Sequence, residues 1–209
     1  SPAGVAATQG TGPAALNLTD LQARSDLSVG TSAGGTVTNI DGTFTNALVF
    51  NAADAAAVLN AAARMLGAPT DFATQDAIVT QAAAATATAA AETFYRLSES
   101  VDGLAVLGGD VILVVGENGA VTGLFSHYVT LPDGVDLTAD AVVDEEAEAR
   151  LYASAAYLTE AAAVIPDAQT LAGFLAGSTF QDDLVVYALD SDIAPTLAWR
   201  VKVIVTKPV

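Results

Sequence analysis

The sequence predicts an α+β fold of two small modules, each a helix packed on an antiparallel β-sheet, and three observations carry this prediction. An apolar stripe at helical spacing runs from Asn51 to Gly67. Runs rich in β-branched and aromatic residues are separated by Asp41-Gly42 and Asn118-Gly119, the dipeptides that tight hairpin turns prefer. After Leu131-Pro132-Asp133-Gly134 the pattern restarts, with helical segments followed by two long strands.

Residues 1–35 are mostly Gly, Ala, Ser and Thr with few large apolar side chains, and they read as a flexible leader. The first module spans 36–131. It opens with Thr36–Ile40 and Thr43–Phe50, predicted as a hairpin about Asp41-Gly42. Asn51 then caps a helix whose buried stripe is Ala55, Val58, Leu59, Ala62, Met65 and Leu66, stopped by Gly67 and Pro69. The Ala82–Ala91 stretch mixes helix-favouring Ala with strand-favouring Thr and leaves both readings open. Three strand runs complete an antiparallel meander: Thr93–Ser98, Leu104–Val115 and Ala120–Val129. The second module spans 135–209. Its helical segments cover Thr138 to about Ala163 and Asp167–Ala176, with Pro166 between, and its strands are Leu184–Asp190 and Thr196–Thr206.

Composition removes several functions. The 209 residues hold 24 acidic and 7 basic side chains, a net charge of −17, which repels phosphate backbones and anionic lipid. Alanine accounts for 45 positions, and charged residues for 15% against about 25% in soluble domains. The imbalance therefore comes from missing Lys and Arg. The longest strongly apolar run, Val111–Val115, is far too short to span a membrane. The absence of cysteine excludes disulfides, thiolate metal sites and cysteine nucleophiles. Ser1 is not an initiator Met, so a signal peptide is expected to have been removed.

Few side chains are suited to catalysis. The single histidine, His127, cannot supply the two-histidine zinc motif of a metalloprotease, and any Ser-His-Asp arrangement would have to use it. A strand residue satisfied by a neighbour is the simpler account of it. Gly108-Gly109 lies inside a strand run with no following helix, so it marks a bulge or close backbone approach rather than a phosphate loop. Carboxylates are the abundant group. Asp144, Glu145, Glu146 and Glu148 read as the solvated face of a helix. Asp182, Asp183, Asp190 and Asp192 gather about the last hairpin as the candidate contact for calcium or a cationic partner. The chain is therefore expected to bind rather than catalyse, with no cofactor and no zinc site.

Thr93–Ser126 resembles the FTP propeptide module of fungalysin and thermolysin-type zinc metalloproteases. The resemblance is carried by Phe94 and Tyr95 on an aromatic strand, a turn ending at Gly103, then Leu104, Val106, Gly108 and Gly109 before a Val-rich strand, and the Asn118-Gly119 turn. Leu137–Leu158, with the closing hairpin from Leu184–Tyr187 to Leu197–Val201 around Trp199, is similar to the PepSY-like module of the same precursors. The resemblance implies an exported prodomain of a bacterium, acting as intramolecular chaperone and inhibitor of its protease. It also implies that Tyr95, Gly103, Gly108, Gly109 and Trp199 determine fold rather than contact the partner. The alternative is a free-standing exported binding or inhibitor module of the same architecture.

Overall fold

Asn51 and Gly67 bound the best-specified element, the helix α2 (Ala52–Leu66). Asn51 Oδ1 accepts the Asp54 N–H at 3.0 Å, and Gly67 closes the helix in the left-handed conformation that favours glycine. Every residue of the expected stripe, from Ala55 to Leu66, is buried. The computed structural model describes residues 13–86, 89–138, 146–165, 167–176, 178–189 and 194–205. Its fold is α+β, with helices and a mostly antiparallel sheet. The chain forms two units, Ser1–Ser100 with Gly108–Thr130, and Val101–Leu107 with Leu131–Val209.

In the first unit α2 is preceded by α1 (Leu18–Gln22), β1 (Ser28–Thr31) and β2 (Val37–Asp41), and followed by α3 (Phe72–Gln75) and β3 (Ile78–Ala83). The meander β4 (Glu92–Val101), β5 (Leu104–Gly116) and β6 (Val121–Ser126) comes next. Strand order is β1-β2-β6-β5-β4-β3. Ile40, Leu97, Val111, Leu113, Val121 and Leu124 project from one sheet face into the core that α2 fills. The two meander turns follow their residues. Asp102 and Gly103 both have positive φ (50° and 81°), as a two-residue type I′ turn requires. Gly119 takes φ 81° after Glu117-Asn118, where Gly116 donates its N–H to the Ala120 carbonyl at 2.9 Å.

Two expectations are corrected here. The hairpin about Asp41-Gly42 does not form, because β1 occupies one edge of β2 and β6 the other. The Gly42 N–H bonds the Thr122 carbonyl, and Thr43–Phe50 instead runs on to bury Phe44 and Val49. The hairpin that does form is β1–β2, and its first strand lies in the supposed leader. Of that segment, 13–35 is structured: Asn17 caps α1, Leu21 is buried, and the Leu16 N–H bonds the Ala61 carbonyl on α2 at 2.8 Å. Few large apolar residues occur there, but Leu16, Leu18, Leu21 and Leu27 all reach the core. Ala82 and Ala83 of the ambiguous alanine stretch are strand.

The second unit holds α4 (Glu146–Val164), α5 (Ala168–Ala176), β7 (Ser178–Tyr187) and β8 (Thr196–Val205). β7 and β8 pair antiparallel along ten residues each, and Ala105–Leu107 runs parallel to Val185–Tyr187. That pairing draws Val101–Leu107 into this unit, although in sequence it belongs to the meander. Val106, Ala161, Val185, Val186 and Leu197 are its buried apolar residues among those described. Glu146 and Glu148 are exposed in the first turn of α4, where the helix dipole favours acid; Asp144, Glu145 and Pro166 lie outside the described residues.

Leu59→Ala is expected to destabilise the first unit by about 2–5 kcal/mol and Asn51→Ala by about 1 kcal/mol. Urea unfolding followed by circular dichroism measures both, and equal effects would contradict the packing described.

Candidate functional site

The most distinctive surface is the free edge of β3. One side of Ile78–Ala83 pairs with Leu97–Glu92 of β4, and β3 ends the strand order, so among the described residues its other side has no strand beside it. The sequence IVTQAA contains no charge, proline or glycine; five of its six residues are exposed, with Val79 at 63%. Natural edges are usually guarded by charge, shortness or a bulge. β8 carries Arg200 and Lys202, and β1 is four residues long with a register shift at Gly30/Thr31. β3 has none of these guards. Its backbone donors and acceptors are therefore available to a strand from another molecule.

Behind this edge, β4 holds a buried carboxylate that sequence reasoning passed over. Glu99 lies on the core face with Tyr95 and Leu97 and is 3% exposed. Gly109 makes its niche: a Cβ there would lie 3.0 Å from Glu99 Cβ and closer still to the carboxylate. Glu99 Oε2 accepts the Val129 N–H at 2.9 Å, and Tyr128, edge-on to Phe72, stands nearby. Burial pushes Glu99 from 4.5 up to about 7; the Val129 hydrogen bond opposes the rise, and Asp76 adds to it. Burial, with the charges of Glu99 and Asp76, pushes Tyr128 up to about 12. The signal in sequence was the alternation of Tyr95, Leu97 and Glu99, which places a carboxylate on the apolar face.

The sequence-derived positions scatter rather than converge. Tyr95 is buried on β4, and burial, then Asp54, raises its hydroxyl pKa. Gly103 sits in the type I′ turn, Leu104 is partly buried after it, and Val106 is buried in the second unit. Gly108 takes φ 94° within β5, a local irregularity, and Gly109 gives the close approach to Glu99. Trp199 stands opposite Leu184 on the β7–β8 hairpin, partly buried. His127 is exposed, 3.4 Å from Asp110, which also pairs with Arg96 at 2.8 Å.

The acidic hairpin is taken up internally. Asp182 pairs through Oδ2 with Arg150 of α4, while its Oδ1 is buried with no hydrogen-bond partner among the described residues, and Asp183 pairs with Arg200 of β8. Asp190 and Asp192 lie outside the described residues. Among the described residues no three His, Asp or Glu side chains group as a metal site. Gly30-Thr31-Ser32-Ala33-Gly34 spells the G-x-S-x-G of a nucleophile elbow, a match the sequence reading overlooked. Here it joins two strands instead of a strand to a helix, and Ser32 Oγ lies 2.8 Å from Thr36 Oγ1.

No family model, curated protein or solved structure matches the chain. No helix among the described residues is long and apolar enough to cross a membrane.

Glu99 gives a pH prediction with a defined sign. Folding raises its pKa, so its contribution to stability is fully present below about 4.5 and is lost as pH rises through about 7. Glu99→Gln, which keeps an acceptor for Val129, should therefore gain in Tm relative to the parent between pH 5 and pH 8. A Tm difference constant across that range would contradict the assignment. Gly109→Ala should destabilise by about 1–3 kcal/mol through the clash with Glu99, measured by the same unfolding curves.

Proposed function

We propose that the chain is a non-catalytic binding protein that adds a partner's strand to β3. The partner we propose is a secreted thermolysin-like zinc metalloprotease, which this chain assists in folding and inhibits as its prodomain. The unguarded edge of β3 carries the binding reading, because main-chain pairing gives affinity along an edge whatever the side chains are. Support for the protease comes from the resemblance in sequence. The residues that carry it have structural reasons to be what they are: Gly103 for a positive φ and Gly109 for the approach of Glu99. A net charge of −17 steers encounter toward a cationic surface, with a salt-sensitive rate.

The test is inhibition in trans. Purified chain at micromolar excess is expected to slow the cognate protease on a chromogenic peptide and to raise its refolding yield. Val79→Lys with Gln81→Lys places charge on the edge without touching the core, and should weaken inhibition about tenfold or more. No slowing of the protease by the parent chain would sink the prodomain reading. Unchanged inhibition by the double variant would move the contact away from β3.

A further inference from the structure

At the end of β3 the first unit holds an open cleft of about 440 Å³. Val49 and Phe50 line it from the approach to α2, Ala82 and Ala83 from β3, and Val115 and Gly119 from the β5–β6 hairpin. Phe50 is 66% exposed, and its ring lies where a side chain on Gly119 would have to stand, 2.6 Å from the position of a Cβ. The walls are apolar, yet the polar groups around them share one sign. Glu92 and Glu117 line the cleft, and no described lining residue is basic. Tyr95 also lines it. This residue is 3% exposed, and its hydroxyl has no hydrogen-bond partner among the described residues.

The Tyr95 ring is enclosed, but its hydroxyl oxygen keeps its access to solvent at the cleft, where water satisfies it. A ligand in the cleft can take that water's place. A fitting ligand offers an N–H donor to the phenol oxygen, positive charge to two carboxylates, and an apolar body to the Phe50 ring and the alanines. Aromatic rings at Phe50 and Tyr95 favour a cation as well. An ammonium or guanidinium head on a methylene stem meets all of these demands, since such side chains bury the stem and keep the head among polar groups.

We propose that this cleft receives a lysine or arginine side chain carried by an extended peptide that pairs with the free edge of β3. Ala82 and Ala83 belong to both the edge and the cleft, so a strand added to β3 delivers side chains at the cleft mouth. The methylene stem packs against the exposed Phe50 ring and Ala82. The cationic head lies among Glu92, Glu117 and the Tyr95 hydroxyl oxygen. The inference rests on strand addition at β3 and is independent of the partner's being a protease.

The experiment uses the full chain and two fluorescein-labelled hexapeptides, Thr-Val-Lys-Val-Thr-Val and its counterpart with norleucine for lysine, read by anisotropy. The lysine peptide is expected to bind about tenfold tighter, shifting the Gly116 and Gly119 amide resonances. Glu92→Gln with Glu117→Gln should bring it down to the norleucine level, and Tyr95→Phe should weaken it about threefold. Asp20→Asn with Glu160→Gln removes the same charge elsewhere and should leave the preference intact. Equal binding of the two peptides overturns the cleft, and so does an equal loss in the remote control pair. If Val79→Lys then still abolishes binding, the edge reading survives without the cleft; if neither peptide binds the parent chain, both fail.

Discussion

The first unit depends on the burial of one alanine-rich helix face. Ala55, Ala62 and Ala63 of α2 are fully enclosed beside Val58, Leu59 and Leu66. Alanine contributes little area of its own, but it lets the helix axis approach the sheet, where Ile40, Val111, Leu113 and Leu124 fill the space. Once that helix is seated, other segments are fixed to its backbone and its polar side chains. Leu16 bonds the Ala61 carbonyl, Ala73 donates its N–H to Asn60 Oδ1 at 2.9 Å, and Thr130 Oγ1 donates to the Gly67 carbonyl at 3.1 Å. A loosened α2 would release all three.

The core face of β4 combines apolar burial with two polar exceptions. Leu97 lies between Tyr95 and Glu99 on that face, and each of the two carries a polar group. Glu99 is answered from within, by the Val129 N–H and the space that Gly109 leaves. The hydroxyl of Tyr95 has no partner among the described residues and keeps its access to solvent at the cleft. Two polar groups on one strand thus differ: one is held inside the fold, the other ends at the surface.

Much of this architecture was legible in the sequence. α2 could be read to its last residue because cap, stripe and stop all agreed. The meander was legible because Asn118-Gly119 left the chain one favourable turn. Asp41-Gly42 misled because a turn dipeptide specifies local backbone and not which strand comes to pair. β1 took the edge of β2 that the hairpin needed, from a segment whose low apolar content hid four well-placed leucines. The site was less legible. Glu99 could be found by alternation, but the cleft gathers Phe50, Ala82, Tyr95 and Glu117 from distant points in the chain. Only tertiary structure brings them together. The carboxylates that looked most available, Asp182 and Asp183, were paired by arginines from α4 and β8.

An edge as bare as β3 invites pairing with its own kind as readily as with a partner. The chain has no lysine on that strand to discourage this, and its protection is collective: a net charge of −17 keeps copies apart at a distance. Such colloidal protection depends on the medium. Concentrated salt or acid dissolves it while leaving the edge intact, so the conditions that silence the charge are those under which copies of this protein meet strand to strand.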